Sequence, residues 1–366
     1  VAILVSAIPE GLPIAMTVIL AIGVQRLSKK NGVIRKLLAA ETLGNTTVIL
    51  TDKTGTLTEA KMELSQILVF DKTKDDDFAM KIAITNTDVV IENPKDRREK
   101  WKIIGRPLEV AVVKAAAKIG ILPARTKKEM AVLDYLPFNS SNKFSASVLE
   151  YNGKIFTCLF GAPEILLKIS GQTPEAERKQ IIKAIDKMAH NGERVLGIAI
   201  KENNKDRTSI PTAKQKFENF KFIATISFTD PIRKGVRDTI HRIEQIGIKT
   251  VIVTGDHQGT AEAVAKELGF PTHKEHVING ADLDLMTQEE LKARLPKLRI
   301  VSRVSPEGKV KIAKAYQEIG EIVAMTGDGV NDAPSLKQAD IGVAMGSGTD
   351  VAKDVAELVL LDNNYQ

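Results

Sequence analysis

The chain has 366 residues, of which 43% are hydrophobic and 27% are charged. This length and composition suffice for two domains with hydrophobic cores and exclude a disordered polypeptide. The formal charge of +6 suits an anionic ligand or a membrane surface. Aromatic residues make up only 4% and are not interleaved with basic ones, so nucleic-acid binding is not expected. A single cysteine, Cys158, permits no intrachain disulfide and favours a cytosolic location for the folded part.

The N-terminal segment VAILVSAIPEGLPIAMTVILAIGV is apolar over the roughly 20 residues that a transmembrane helix needs, and Glu10 is its only charged residue. Basic residues follow this segment, which excludes a signal peptide and places its carboxyl end in the cytoplasm. We therefore predict a transmembrane helix over residues 1–27, with the lipid bilayer as a partner and cytoplasmic catalytic domains. The length and the basic cluster argue against the alternative, a kinked buried helix of a soluble protein.

From Thr47 onward, short β-rich segments that end in polar or glycine-rich turns alternate with amphipathic helical patterns. This alternation predicts a parallel sheet with helices on both faces. Ligands of such sheets bind beyond the carboxyl ends of the strands. The β-rich segments are TTVILTD, KTVIVTGD, LRIVSRV, EIVAMTGDG, ADIGVAMG and ELVLLD, and the helical ones include GTAEAVAKELGF and PEGKVKIAKAYQEIG.

The pattern changes between residues 61 and 226. FSASVLEYNGKIFTCLFGAPE predicts an antiparallel hairpin that turns at Asn152 and Gly153, and PEAERKQIIKAIDKMAHNGE predicts an amphipathic helix. The charged stretches DKTKDDD and ENPKDRREK are expected in exposed loops. We therefore predict an α+β domain over residues 61–226. It is inserted between two parts of the parallel-sheet domain, residues 28–60 and 227–366, and TDPIRKG forms the return connection.

The segment VILTDKTGTLTE places one acid, Asp52, at the end of a strand, where a carboxylate is positioned as a nucleophile. Attack on a phosphoryl group brings two anions together, and at ~4 Å their repulsion is about 4 kcal/mol at an effective dielectric near 20. The site therefore needs cations. Asp328 can hold Mg²⁺ together with Asp52, and Lys309 can neutralise the phosphoryl oxygens. A lone strand-terminal Asp is often only a turn, but DKTGT, TGD and GDGVNDAP at successive strand ends favour catalysis.

The motifs DKTGTLT, TGD and TGDGVNDAP resemble those of P-type ATPases, cation pumps whose catalytic domain belongs to the haloacid-dehalogenase superfamily. The resemblance covers the whole chain and implies a haloacid-dehalogenase-like α/β fold, ATP as the substrate and an aspartyl-phosphate on Asp52. It also implies that Asp52, the Thr54 carbonyl and Asp328 hold Mg²⁺, with Asp332 supporting the ion indirectly. The residues implied to contact phosphate or nucleotide are Thr54, Thr254, Gly255, Asp256, Arg303, Lys309 and Asn331, of which Thr254, Asp256 and Lys309 act in catalysis beside Asp52.

Thr54 occupies the position two residues after the nucleophile, where phosphatases of that superfamily usually carry an acid. A general acid or base contributes roughly 10²–10⁴-fold in rate. Without one, the phosphoenzyme is expected to persist, as a pump requires.

The inserted domain resembles the nucleotide-binding domain of the same family. PFNSSNKFS implies that Phe138 stacks on adenine with Lys143 nearby, GRPLE retains an acid at Glu109, and GERVLGIA supplies Arg194. Two departures, Phe160 in place of a nucleotide-contacting lysine and Ser140 in place of an arginine, imply weaker ATP affinity or a rearranged pocket. The chain contains no P-loop, so phosphate contacts are expected from the strand ends.

IPEGLP resembles the unwound fourth transmembrane helix of type II pumps. This implies that the Glu10 carboxylate and the carbonyls of Val5, Ser6 and Ile8 bind the transported cation. Oxygen ligands of this kind suit Ca²⁺ or an alkali ion rather than a soft metal.

The sequence therefore predicts the catalytic core of a type II, calcium-pump-like P-type ATPase. We expect it to be a fragment whose actuator domain and other membrane helices belong to the same parent chain. Ca²⁺ rests on analogy, because Na⁺/K⁺ and Mg²⁺ pumps share much of the pattern. Two other interpretations stay open, a soluble phosphohydrolase of the same superfamily and a non-transporting nucleotide-binding fragment.

Overall fold

A computed structural model describes residues 11–204, 208–210 and 217–365. The chain divides into two compact units, one formed by Val1–Ala60 with Ile232–Gln366 and the other by Lys61–Pro231. We call them the discontinuous unit and the inserted unit. The predicted boundary after residue 226 falls inside the strand Lys221–Thr229, so the end of that strand lies in the inserted unit.

The secondary structure of the described residues is as follows. The strands are β1 (Gly32–Ile34), β2 (Val48–Thr51), β3 (Glu63–Val69), β4 (Val90–Ile91), β5 (Ile103–Ile104), β6 (Ala131–Leu136), β7 (Phe144–Tyr151), β8 (Lys154–Gly161), β9 (Arg194–Asn203), β10 (Lys221–Thr229), β11 (Lys249–Val253), β12 (Val277–Asn279), β13 (Ile300–Ser302), β14 (Val323–Gly327), β15 (Ile341–Met345) and β16 (Leu358–Leu360). The helices are α1 (Gly11–Ser28), α2 (Ala39–Gly44), α3 (Asp76–Thr85), α4 (Pro107–Lys118), α5 (Pro123–Glu129), α6 (Pro163–Ile169), α7 (Glu175–His190), α8 (Val236–Gln245), α9 (Gln258–Leu268), α10 (Gly280–Leu285), α11 (Gln288–Arg294), α12 (Pro306–Glu318), α13 (Ala333–Gln338) and α14 (Asp350–Val355).

The discontinuous unit is built on an eight-stranded sheet in the order β1-β16-β15-β14-β2-β11-β13-β12. From β16 to β12 all neighbours are parallel, and all six β-rich segments predicted from the sequence form strands here. The exception is β1, which pairs antiparallel with β16. Because β14, β2 and β11 are neighbours, their carboxyl ends lie side by side at one edge of the sheet.

Helices cover both faces of this sheet. Val251 and Val253 pack in a buried cluster that includes residues of α10 to α13, whereas Ile252 packs with residues of α8 and α9. This alternation follows from the two-residue period of a strand. Burial of both faces explains why the central strands consist almost entirely of apolar residues.

The inserted unit contains a six-stranded antiparallel sheet in the order β3-β10-β9-β8-β7-β6. The predicted hairpin is confirmed as β7 and β8, with positive φ at Asn152 (52°) and Gly153 (72°). The predicted amphipathic helix is confirmed as α7. Phe156, Cys158 and Phe160 of β8 face the cluster formed with α3 and α4, while Leu159 faces the cluster formed with α6 and α7.

The expectation of an exposed loop at DKTKDDD is wrong at its first residue. Asp71 is buried, and its Oδ2 lies 2.8 Å from the Nζ of Lys221. Its Oδ1 accepts hydrogen bonds from the backbone N–H and the hydroxyl of Thr73. Further along the stretch, Asp75 caps α3 by accepting a hydrogen bond from the N–H of Phe78. Asp71 therefore stabilises the fold through an ion pair and turn hydrogen bonds, and Asp75 stabilises the start of α3.

Helix α1 covers the second part of the predicted transmembrane segment, and residues 1–10 lie outside the described residues. Among the described helices, none has the length and hydropathy required to cross a membrane.

Candidate active site

The predicted acidic residues lie at the shared edge of three neighbouring strands. Asp52 follows β2, Asp328 follows β14, and Asp256 comes shortly after β11. The N–H of Asp52 donates to the carbonyl of Thr326 at 3.0 Å, which holds the start of the loop against β14. The structure therefore brings together side chains that are more than 270 positions apart in the sequence.

Lys309 lies between two buried carboxylates. Its Nζ is 2.7 Å from Oδ1 of Asp52 and 2.6 Å from Oδ1 of Asp332. The lysine is in the first turn of α12, where Ser305 accepts a hydrogen bond from the N–H of Gly308 and caps the helix. This cap stabilises the first turn of the helix, from which Lys309 extends.

Burial and charge set the protonation of this group. Burial raises the pKa of Asp52 to about 6, although the ammonium of Lys309 opposes this change. Burial alone would lower the pKa of Lys309, but the carboxylates of Asp52 and Asp332 keep it above its ordinary value. Lys309 therefore stays charged, and Asp52 is largely ionised at neutral pH.

Three carboxylates form a cluster that fits a divalent cation. One oxygen each from Asp52, Asp328 and Asp332 lies within 4.8 Å of the others. Burial and the neighbouring Asp332 raise the pKa of Asp328, as expected where acids outnumber cations. Carboxylate oxygens are the ligands that Mg²⁺ prefers. Asp332 already accepts hydrogen bonds on both oxygens, from Lys309 and from the N–H groups of Asp328 and Gly329.

The loop Lys53–Leu57 passes directly beside Asp328. Gly55 has a φ of 76°, and a Cβ at this position would lie 1.8 Å from Oδ2 of Asp328. Arg233 holds the loop from the return connection by donating to the carbonyls of Gly55 at 2.7 Å and Thr56 at 3.1 Å. Arg233 was not predicted from the sequence, where it stands only as one basic residue within TDPIRKG.

A second ion pair lies on the other side of the loop. The Nζ of Lys53 is 2.6 Å from Oδ2 of Asp256, and the hydroxyl of Thr54 donates to the same oxygen at 3.2 Å. The hydroxyl of Thr254 accepts a hydrogen bond from the N–H of Asp256. Lys53 was also missed, although its burial makes it an integral part of the site.

The other residues predicted to contact phosphate have their backbones near the carboxyl ends of the same strands. Arg303 donates its N–H to the carbonyl of Asp256 at 2.9 Å and has a positive φ of 51°. Gly255 precedes Asp256 in the same turn, and Asn331 lies in the short turn that contains Asp332. All three residues are exposed.

Four predicted nucleotide residues belong to the inserted unit. Glu109 is buried in the first turn of α4, and burial raises the pKa of its carboxyl group against the effect of Arg106. Phe138 follows β6, Lys143 precedes β7 and Arg194 begins β9. The strand register pairs Leu136 with Ala146, Phe144 with Gly161 and Gly161 with Gly197. This register places Phe138, Lys143 and Arg194 at the same end of the sheet.

The two departures from the expected pattern have different surroundings. Phe160 is buried in the apolar cluster that contains Cys158 and Ile198, so it contributes no charge to this end of the sheet. Ser140 is exposed in the turn after Phe138. The predicted cation ligands Val5, Ser6, Ile8 and Glu10 lie outside the described residues.

Comparison with known proteins gives the family of this chain. A protein-family model described as haloacid dehalogenase-like hydrolase matches residues 46–340. The chain belongs to this family, which agrees with its α/β fold.

The similar proteins are more specific than this family, because they are cation-transporting ATPases. The whole chain is 40% identical to Calcium-transporting ATPase 1 of Bacillus cereus and 35% identical to Calcium-transporting ATPase 1 of Lactococcus lactis, of which it spans 42% and 43%. A crystal structure of a zinc-transporting PIB-type ATPase in its E2.Pi state shares the fold, with a TM-score of 0.63 and 24% identity over 94% of this chain and 43% of the other. The predicted resemblance to P-type ATPases is confirmed, and the chain spans less than half of the relatives' length.

Proposed function

We propose that the chain is the catalytic core of an ATP-driven cation pump in which Asp52 accepts the γ-phosphoryl group of ATP. The observation that carries this proposal is the buried contact of Asp52 with Lys309 at the strand edge where Asp328 also lies. A cation beside the nucleophile offsets the repulsion between its carboxylate and the incoming phosphoryl oxygens.

In the proposed reaction, a carboxylate oxygen of Asp52 forms a bond to the γ-phosphorus while the bond to the β,γ-bridging oxygen breaks and ADP leaves with that electron pair. Lys309 neutralises charge on the transferred group. Asp52, the Thr54 carbonyl and Asp328 would hold Mg²⁺, which when bound withdraws charge from the phosphoryl oxygens. Asp332 keeps Lys309 in position, and Asp256 orients the loop through Lys53 and Thr54.

The side chain at position 54 determines how long the phosphoenzyme lasts. Its hydroxyl donates to Asp256 and offers no carboxyl group to activate water. We expect Thr54→Asp to shorten the phosphoenzyme half-life by about 10²-fold, the lower end of general acid–base effects. The half-life is measured after a chase with unlabelled ATP. Thr54→Asn is the matched control, because asparagine is nearly equal in size to aspartate but cannot act as an acid or base. An unchanged half-life in Thr54→Asp would refute this role for position 54.

The inserted unit is proposed to bind ATP through Glu109, Phe138, Lys143 and Arg194. Support comes from the shared location of Phe138, Lys143 and Arg194 at one end of the sheet and from the buried carboxyl group of Glu109, whose charge Arg106 partly compensates. An aromatic ring beside polar groups is the usual arrangement at a nucleotide site.

The N-terminal segment is proposed to cross a membrane over residues 1–27 and to bind the transported ion through Glu10 and the carbonyls of Val5, Ser6 and Ile8. The names of the relatives favour Ca²⁺. The segment that follows α1 is tied to helix α14, because the guanidinium of Arg35 donates to the carbonyls of Lys353 and Asp354 at 2.6 Å. We propose that this connection couples phosphorylation to the membrane segment.

ATP-dependent uptake of radioactive calcium into vesicles that carry the full-length gene product tests the transport function. We expect calcium uptake to require ATP, and we expect phosphoenzyme formation from ATP to require Ca²⁺ and to be absent with Na⁺ or K⁺ alone. Glu10→Gln should lower the affinity for Ca²⁺ while phosphorylation from inorganic phosphate persists. If Ca²⁺ affinity were unchanged, Glu10 would not be a ligand. Rapid hydrolysis of simple phosphate esters without any transported cation would instead indicate a soluble phosphohydrolase.

A further inference from the structure

Arg106 contacts two of the proposed nucleotide residues. Its guanidinium carbon is 4.8 Å from the ring centroid of Phe138, and its Nη2 donates to the Phe138 carbonyl at 2.8 Å. Its Nη1 is 3.9 Å from Oε1 of Glu109. We propose that Arg106 is a positioning residue that fixes the Phe138 ring for stacking on the nucleotide base. This inference rests on the proposed nucleotide site.

The backbone of Arg106 is well anchored. It is the residue before α4, with an extended backbone, and Pro107 opens the helix. Its carbonyl accepts a hydrogen bond from the N–H of Val110 at 2.9 Å. Proline restricts the preceding residue to extended conformations, so the side chain leaves the helix terminus in a narrow range of directions.

Phe138 lies outside the hydrophobic cores that would otherwise hold its ring in place. It lies beyond the end of β6 and is half-buried, and in the described part of the chain it belongs to neither hydrophobic core of the inserted unit. The turn that follows it is held by Asn139, which accepts hydrogen bonds from the N–H groups of Asn142 and Lys143. These bonds fix the backbone after Phe138, and Arg106 contacts the ring itself.

The planar guanidinium suits this task. It contacts the ring by a cation–π interaction while its Nη2 donates to the carbonyl, and the base would stack on the opposite face of the ring. Glu109 balances its charge. Because Phe160 supplies no cation, stacking carries a larger share of base recognition in this chain, and a purine offers more stacking area than a pyrimidine.

A double-mutant cycle on the whole chain tests this inference, with ATP and UTP competing against a fluorescent trinitrophenyl-ATP. We expect Arg106→Ala to weaken ATP binding about fivefold to tenfold, consistent with a partly exposed cation–π contact plus one hydrogen bond. The loss should be smaller for UTP. The ATP affinity of Arg106→Lys should be intermediate, because an ammonium keeps the positive charge but lacks the planar guanidinium group. In a Phe138→Ala background, Arg106→Ala should have no further effect.

The control is Arg125→Ala, which removes another arginine of the same unit whose guanidinium pairs with Glu129 on the same helix. It should leave ATP binding unchanged. Equal affinity of Arg106→Ala and wild type would overturn the inference, as would a further loss of the same size in the Phe138→Ala background. If the wild-type chain bound neither nucleotide, the nucleotide site itself would be refuted, and this inference with it.

Discussion

Replacing Gly55 by alanine is expected to reduce phosphorylation of Asp52 by at least about 100-fold, the loss that a displacement near 1 Å can produce at a reacting centre. The added Cβ would lie 1.8 Å from Oδ2 of Asp328, far inside van der Waals contact. The φ of 76° adds backbone strain that alanine tolerates poorly. Either the loop or Asp328 must move, and both belong to the proposed phosphoryl site. Steady-state phosphoenzyme levels measure the effect.

Gly247 provides a matched control in the same unit. Its φ is 89°, but a Cβ there would meet nothing within 4 Å. Gly247→Ala therefore carries the backbone cost, about 1 kcal/mol of stability, without the collision. We expect it to keep wild-type phosphorylation. Comparable phosphorylation in Gly55→Ala would show that the contact with Asp328 does not constrain the loop.

Replacing Lys309 by alanine is expected to lower both the stability of the protein and the rate of phosphoenzyme formation. Lys309→Ala leaves the buried carboxylates of Asp52 and Asp332 without their shared partner. Breaking a buried ion pair in this way costs roughly 3–5 kcal/mol, and loss of one charged stabiliser of the transferred group costs roughly 10²–10³-fold in rate. Denaturant unfolding and phosphoenzyme formation measure the two effects.

The stability loss in Lys309→Ala should shrink as the pH falls. Burial already raises the pKa of Asp52 to about 6, and without the opposing ammonium it rises further. A raised folded-state pKa favours the folded protein at low pH, where the proton is bound, and the penalty appears as the pH rises through that pKa. Lys314→Ala, an exposed lysine on the same helix, serves as the control. Equal stability of Lys309→Ala and wild type at neutral pH would contradict the structural role of this pair.

Periodicity and motif position predicted the parts of the fold that depend on local sequence. Apolar segments such as VILT and VAMTG became β2 and β14 because a strand buried on both faces needs apolar side chains throughout. The Asn152–Gly153 turn was predictable because few residues tolerate its positive φ angles. The neighbouring positions of Asp52 and Asp328 followed from the rule that parallel strands end at a common edge.

Features that depend on distant contacts escaped prediction. β1 joins the sheet through pairing with β16, more than 300 residues away, and its three residues carry no distinct periodicity. Arg233 and Arg106 were missed because their roles come from hydrogen bonds to the carbonyls of Gly55 and Phe138, which any residue type provides. Asp71 resembled a solvated acid, since its partner Lys221 is 150 positions away.

Formation of a covalent phosphoenzyme on Asp52 tests the proposed function most directly. The full-length gene product is incubated with Mg²⁺ and ATP labelled in the γ-phosphoryl group, quenched in acid and treated with hydroxylamine, with Asp52→Asn in parallel. If Asp52 accepts the phosphoryl group, the wild type carries an acid-stable, hydroxylamine-labile label that is absent from Asp52→Asn. A label that persists in Asp52→Asn, or no label together with rapid release of phosphate from simple esters, would contradict it.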